Sequence, residues 1–155
     1  MKITLTLNGH RTHLEILPGE TLLDTLRSAG QFSVKRGCET GDCGACTVLL
    51  EGQPVNSCVV AAARATDSEV VTLEGLLGDD LMKRLQKAMV DAVAVQCGYC
   101  TPGMLISLYA LLKENPQADE AAIRHYLTGN LCRCTGYVKP VEAALAVARN
   151  LEVQP

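Results

Sequence analysis

Cysteine is the residue type whose number and spacing point to chemistry in this chain. Eight cysteines occur among 155 residues, and they fall into two sets. The residues after Met1 form no apolar stretch long enough for a secretion signal, so we expect a reducing, cytoplasmic location in which disulfides are rare. Cysteines that recur at short spacings in such a location are typical metal ligands. The first set is Cys38, Cys43, Cys46 and Cys58, and the second is Cys97, Cys100, Cys132 and Cys134.

The first set has the spacing of a 2Fe-2S site. Cys38-x4-Cys43-x2-Cys46 matches the loop of plant-type ferredoxins, whose thiolates hold a 2Fe-2S cluster. Glycines within and beside this loop let the backbone turn tightly, so that N–H groups point at sulfur and stabilise its negative charge. Cys58 follows sooner than the fourth cysteine of a free-standing plant ferredoxin. The match is therefore to the loop and not to the whole protein.

The second set consists of two short pairs, Cys97-x2-Cys100 and Cys132-x-Cys134. Each pair lies near a predicted helix start, where backbone N–H groups favour the negative charge of a thiolate-ligated cluster. A Cys-x-Cys pair inside a regular helix would splay its sulfurs apart, so residues 130–136 are predicted to form a loop. Two loops facing each other across one end of a helical bundle would present four thiolates to one cluster.

Zinc is the main alternative metal. Two four-cysteine zinc sites agree with the number of ligands, but zinc modules usually pair two similar Cys-x2-Cys knuckles, and the four-residue and one-residue spacings differ from that habit. Buried structural thiols are a further alternative. His10, His13 and His125 have no cysteine within motif spacing, and we interpret them as surface or hydrogen-bonded side chains.

The N-terminal half is predicted to form a small sheet packed on one helix. Apolar residues alternate along residues 3–7, and the Asn8-Gly9 pair then predicts the tight turn of a β-hairpin. A capping pattern at Thr21 predicts a helix that ends at Gly30. Further strand patterns lie at residues 47–50, around Val55 and at residues 70–73.

The C-terminal half is predicted to be helical, because a period of 3.6 residues replaces the strand patterns beyond Gly78. Four short helices of this kind are typical of a small bundle. Residues 63–68 are the predicted linker, and the two domains span residues 1–75 and 76–155. The predicted helices cover residues 81–93, begin with an N-cap at Thr101 and Pro102 in the first turn, run from Asp119 to Gly129, and begin near Pro140.

Composition narrows the possible partners. The net charge of -3 and an aromatic content of 3% provide no basic patch and few stacking platforms, so nucleic acid is not an expected partner. Residues 92–112 carry no charge, but Gln96, Pro102 and Gly103 interrupt them, so we expect a buried helix and no membrane span. The charged content of 20% favours a subunit that hides apolar surface against partners.

Three stretches closely resemble the small iron-sulfur subunit of the xanthine dehydrogenase family of molybdenum hydroxylases. They are GCETGDCGACT at residues 37–47, QCGYCTPG at residues 96–103 and GNLCRCTGY at residues 129–137. The resemblance covers nearly the whole chain, and its motifs are long and in the family's order. It implies an α+β fold, with an N-terminal ferredoxin-like β-grasp domain followed by a C-terminal four-helix bundle domain.

The resemblance also implies a role for each cysteine. The first set would hold the 2Fe-2S cluster on the flavin side, and the second set the cluster on the molybdenum side. Gln96 resembles the family's glutamine that hydrogen-bonds the molybdopterin, since an amide can both donate and accept, and a helix-capping amide is the alternative. No stretch resembles the large-subunit motifs, so the chain is expected to hold no complete active site and no catalytic residue.

Electron transfer between partner subunits is the function that the resemblance implies. Electrons from hydroxylation at molybdenum would pass singly through two clusters to FAD. The implied partners are a large molybdopterin-binding subunit and a FAD-binding medium subunit, in a dimer of heterotrimers. Residues 33–35 are similar to bacterial xanthine dehydrogenase small chains, so xanthine or another N-heterocycle is the expected substrate. The alternatives are a subunit of an aldehyde- or carbon monoxide-oxidising relative and a stand-alone two-cluster ferredoxin.

Overall fold

The computed structural model describes residues 1–151 of the chain. Its strands are β1 (Lys2–Leu7), β2 (His10–Glu15), β3 (Thr47–Leu50), β4 (Gln53–Asn56) and β5 (Glu69–Val71). They form one five-stranded sheet in the order β2-β1-β5-β3-β4. The sheet is mixed, because β1 and β5 are parallel whereas the other neighbouring strands are antiparallel.

The predicted hairpin and the predicted helix start are both confirmed. Asn8 and Gly9 have φ values of 52° and 81°, so this two-residue turn has the twist that suits antiparallel neighbours. Helix α1 (Leu22–Ser28) is capped by Thr21, whose hydroxyl accepts a hydrogen bond from the backbone N–H of Asp24 at 3.2 Å. The hairpin and α1 therefore form where the local sequence patterns predict them.

Helix α1 packs against the sheet in one hydrophobic cluster. Leu22, Leu23 and Leu26 are at most 1% exposed and meet the buried apolar residues of β1 and β5. Burying each such leucine contributes about 1.5–3 kcal/mol. This packing holds both ends of the loop at residues 29–46, which carries the first three cysteines.

The predicted linker at residues 63–68 is wrong. Ala62–Ala65 form a 3-10 turn in which Ala62 and Ala65 are fully buried, and the turn packs against α1. The chain then enters β5 at the centre of the sheet. The segment looks like a linker because it is short in large apolar residues, but the methyl groups of its alanines fill the narrow space beside α1.

The rest of the chain is built from α2 (Asp80–Asp91), α3 (Thr101–Glu114), α4 (Glu120–Tyr126) and α5 (Val138–Leu151). Helix α3 is the central one, and every residue from Gly103 to Leu112 is buried. It packs against α2, α4 and β3, which explains why this stretch carries no charge. Within residues 1–151, no helix combines the length and apolar character needed to cross a bilayer.

Several helix and strand ends differ from the prediction. The N-cap of α3 is Cys100 and not Thr101, because Thr101 is already the first residue of the helix. Helix α5 begins at Val138, before Pro140, since a proline in the first turn lacks only an N–H that has no helical partner there. Strand β5 ends at Val71, after which a 3-10 turn starts at Leu73. The predicted cap at Asp119 is confirmed, whereas α4 ends at Tyr126 and a 3-10 turn continues from it to Gly129.

A strained residue follows the end of helix α2. Val93 has a φ of 54° and is 75% exposed, while the Ala94 N–H donates to the carbonyl of Met89 at 2.8 Å. Glycine normally occupies this left-handed position, and a β-branched side chain there costs about 1–2 kcal/mol. The strained valine lies just before the second cysteine set.

Replacing this valine is expected to stabilise the fold. Val93→Gly should raise the free energy of unfolding by about 0.5–1 kcal/mol, because the relieved strain exceeds the added freedom of glycine in the unfolded chain. Urea denaturation followed by circular dichroism measures the change. Val90→Gly is the control, since Val90 is also exposed but lies within α2, and there glycine should lower stability. An unchanged or lower midpoint for Val93→Gly would contradict the strain.

Candidate metal centres

The first cysteine loop folds around the sulfur of Cys38. The backbone N–H groups of Thr40 and Cys43 both donate to Cys38 Sγ at 3.4 Å. Gly41 and Gly44 have φ values of 86° and 68°, which allow the chain to turn these N–H groups inward. Hydrogen bonds from the Thr40 side chain and from these backbone groups lower the pKa of Cys38 to about 6. The loop therefore stabilises a thiolate, the form of cysteine that binds metals.

Cys46 and Cys58 lie deeper beside this loop. They are 2% and 6% exposed, and their thiols are within hydrogen-bonding reach of each other. Ser57 fixes the second cysteine relative to the first, because its hydroxyl donates to the Cys46 carbonyl at 2.8 Å. Burial, and then the neighbouring Cys46 thiol, raise the pKa of Cys58 to about 11. Two adjacent thiolates at this depth need a cation to balance their charge.

The second set pairs its cysteines across two loops. Cys97 interacts with Cys134, and Cys100 interacts with Cys132. The first pair is exposed, whereas Cys100 and Cys132 are partly buried. Burial, and then the contact with Cys132, raise the pKa of Cys100 to about 12. The predicted approach of the two loops is confirmed.

The Cys-x-Cys loop holds Cys132 by its own polar groups. Thr135 contacts Cys132 Sγ through its hydroxyl at 3.0 Å and donates its N–H at 3.4 Å. Burial acts to raise the pKa of Cys132, but these hydrogen bonds outweigh it and the pKa falls. The Cys132 N–H donates to the hydroxyl of Tyr137 at 2.8 Å. Thr135 and Tyr137 thus orient a thiolate. Both residues lie next to the cysteines in sequence, but the spacing alone does not predict this role.

The thiols are arranged in pairs. Among residues 1–151, no three or more His, Cys, Asp or Glu side chains are placed as the ligands of a single ion. Two irons that each take two thiolates fit four thiols in two pairs, and the donor set has the all-thiolate chemistry of such clusters. The pairs are Cys38 with Cys43, Cys46 with Cys58, Cys97 with Cys134, and Cys100 with Cys132.

The first loop, which carries Cys38, Cys43 and Cys46, directly contacts the second loop, which carries Cys132 and Cys134, and also contacts Tyr99. The N–H of Leu131 donates to the carbonyl of Cys43 at 2.8 Å, and the hydroxyl of Tyr99 donates to the carbonyl of Arg36. A Cβ on Gly44 would lie 2.0 Å from the carbonyl oxygen of Gly129, so only glycine allows this approach. Cysteine spacing does not predict this junction; the signals for it in the sequence are the glycine that follows Cys43 and the glycine that precedes the Cys-x-Cys loop.

Gln96 is exposed and lies next to Cys97. The N-cap residue of α3 is Cys100, four residues after Gln96. The interpretation of the histidines is confirmed, since all three are exposed and His13 Nδ1 shares a hydrogen bond with Thr4 Oγ1 at 2.8 Å.

Comparison with known proteins agrees with the two sites. Residues 5–74 match the family described as the 2Fe-2S iron-sulfur cluster binding domain, and residues 72–145 match the 2Fe-2S binding domain family. The nicotinate dehydrogenase small FeS subunit of Eubacterium barkeri is 47% identical over 147 residues, which are 94% of this chain and 93% of the relative. The xanthine dehydrogenase iron-sulfur-binding subunit of Escherichia coli O157:H7 is 44% identical over 92% of this chain and 91% of the relative.

A solved structure extends the agreement to the fold. A chain of quinoline 2-oxidoreductase from Pseudomonas putida 86 superposes with a TM-score of 0.92 and 39% identity, over 98% of this chain and 96% of that one. Fold and sites together define a protein with two 2Fe-2S-binding domains. The chain belongs to the xanthine dehydrogenase family of molybdenum hydroxylases, among its small iron-sulfur subunits.

A substitution at Gly44 tests the close approach of the first loop to the Gly129 carbonyl. Gly44→Ala should lower stability by about 2–3 kcal/mol through overpacking and should reduce the iron-sulfur absorbance per chain, because its methyl group collides with the Gly129 carbonyl. Visible absorbance and thermal denaturation measure both effects. Gly52→Ala is the control, since Gly52 also has a positive φ of 77° but has nothing within 4 Å of its missing Cβ. Equal losses in both variants would contradict the role of the approach.

Proposed function

We propose that this chain conducts electrons singly from a molybdopterin site on a large subunit, through two 2Fe-2S clusters, to FAD on a medium subunit. When bound, each 2Fe-2S cluster takes up and releases one electron, so a two-electron oxidation elsewhere is passed on in single steps. The observation that carries the proposal is the direct hydrogen bond between a loop of the first cysteine set and a loop of the second, from Leu131 N–H to the Cys43 carbonyl.

The ligands of each proposed cluster come from one set of cysteines. The N–H bonds to Cys38 and the Thr135 bonds to Cys132 support this assignment, because hydrogen bonds to sulfur stabilise thiolate ligands and tune cluster potentials. We assign Cys38, Cys43, Cys46 and Cys58 to the flavin-side cluster, and Cys97, Cys100, Cys132 and Cys134 to the molybdenum-side cluster.

The surface beside the second set supports its place against the large subunit. Several exposed apolar side chains adjoin this set; at the first set Glu39 and Asp42 are exposed near Cys38, and Val59 is an exposed apolar residue next to Cys58. Apolar surface is what a permanent interface with a larger subunit would bury. We assign the exposed Gln96, beside Cys97, to a hydrogen bond with a pterin edge on that subunit, since its amide can both donate and accept. The apolar side chains are Val93, Val95, Leu131 and Val138.

The domain organisation follows the same proposal. We assign residues 1–75 to a ferredoxin-like β-grasp domain and residues 76–155 to a four-helix bundle domain, of which residues 152–155 lie outside the described residues. Two hydrophobic clusters support the division, one beneath the sheet and one around α3. Leu49 on β3 belongs to the helical cluster, so the two units share apolar contacts.

Substrate, assembly and location complete the proposal. The compared relatives are named for nicotinate, xanthine and quinoline, which supports an N-heterocycle as substrate, with aldehyde or carbon monoxide oxidation as the alternative. We propose a cytoplasmic dimer of heterotrimers. Co-purification with two larger chains would support this assembly, whereas a chain that purifies alone with both clusters would be a free ferredoxin.

Cysteine variants of the purified complex test the order of transfer. Cys43→Ser should leave the second cluster reducible by substrate but slow flavin reduction by more than about 100-fold, because losing a ligand costs more than losing a residue that hydrogen-bonds a ligand. Cys97→Ser should prevent reduction of both the first cluster and the flavin. Single-turnover absorbance and rapid-freeze electron paramagnetic resonance follow each centre. A first cluster that substrate still reduces in Cys97→Ser would contradict the order.

A further inference from the structure

Asn130 is a buried polar residue between the two cysteine loops. Asn130 is 2% exposed, and its Nδ2 donates to the carbonyl of Gly44 at 3.0 Å and to Thr47 Oγ1 at 3.3 Å. The Thr47 hydroxyl in turn donates to the same Gly44 carbonyl at 2.7 Å. One amide thus joins the second loop to both ends of the segment that follows Cys43.

The position of Asn130 in the chain makes this contact important for transfer. The next residue is Leu131, whose N–H donates to the Cys43 carbonyl at 2.8 Å, and Cys132 follows directly. One hydrogen bond and a few covalent bonds therefore link a cysteine of the first set to a cysteine of the second. Any change in how the loops lie against each other alters this link.

Close packing leaves the amide no alternative position. A Cβ on Gly44 would lie 2.6 Å from Asn130 Nδ2, and a Cβ on Gly103 would lie 2.2 Å from the Gly44 carbonyl oxygen. The Gly44 backbone is thus held between the start of α3, just after Cys100, and the Asn130 amide. Because the site is buried, water does not replace a lost amide donor without opening the junction.

We propose that Asn130 is a positioning residue for electron transfer between the two cysteine sites. Its amide holds the first loop against the second, so that the hydrogen bond from Leu131 to Cys43 stays formed and the two clusters keep a fixed separation. This inference rests on the proposed function, since it concerns transfer between clusters. It adds a residue that ligates neither cluster.

The test uses the purified complex with both clusters reduced by dithionite. Asn130→Ala should keep the g values of the two separate signals but weaken the splitting that each cluster causes in the other's spectrum. It should also slow transfer between the clusters about tenfold, in line with the cost of small displacements of reacting groups. Asn130→Ser, which keeps one short donor, should fall between Asn130→Ala and the unaltered protein.

Asn56→Ala is the matched control. Asn56 Nδ2 donates to the Gly41 carbonyl at 2.6 Å, and Asn56 Oδ1 lies 3.4 Å from the Thr47 hydroxyl, so both of these partners lie in the first loop and β3, on the sheet side of the junction. This variant should leave splitting and transfer rate unchanged.

Three outcomes would overturn the inference. The first is unchanged splitting and rate in Asn130→Ala with both clusters present. The second is equal effects in Asn56→Ala. The third is loss of a cluster in both Asn130 variants, which would make Asn130 an assembly residue. Absence of iron-sulfur signals from the unaltered complex would instead refute the proposed function itself, so the two failures are distinguishable.

Discussion

The contact of one cysteine loop with the other is the constraint on which the structure depends. Gly44 lies so close to Gly129 that a methyl group cannot fit between them, and the Cys43 carbonyl accepts the Leu131 N–H. The sheet and α1 hold the first loop, while α3 and the turn before α5 hold the second. The two hydrophobic clusters therefore do more than stabilise two separate units, because together they set the distance between two groups of thiols.

Charge is the second constraint on the sites. Hydrogen bonds from the Thr40 side chain and from backbone N–H groups lower the pKa of Cys38, whereas burial and neighbouring thiols raise the pKa of Cys58 and Cys100. Four thiolates cannot share such a space without positive charge, which two ferric or ferrous ions supply. Cys97 and Cys134 are exposed, whereas Cys46 and Cys58 are buried. The second site therefore has an edge open to solvent, and the first site lies deeper.

Local patterns predicted much of this structure, and contacts between distant segments explain what they missed. The Asn8-Gly9 turn and the caps at Thr21 and Asp119 depend on neighbours in sequence, and they form as predicted. The prediction of a linker at residues 63–68 is wrong because burial of Ala62 and Ala65 depends on α1, far away in the chain. Asn130 was unrecognised for the same reason, since its partners Gly44 and Thr47 lie more than eighty residues earlier.

The central claim is that eight thiolates hold two iron pairs in one chain. Iron and acid-labile sulfide analysis of the anaerobically purified complex, combined with quantitative electron paramagnetic resonance after full reduction, tests it most directly. The account predicts two distinct signals from this subunit, each integrating to one unpaired electron per chain. A folded, colourless chain that contains zinc, or a single signal assigned to one set of cysteines, would contradict it.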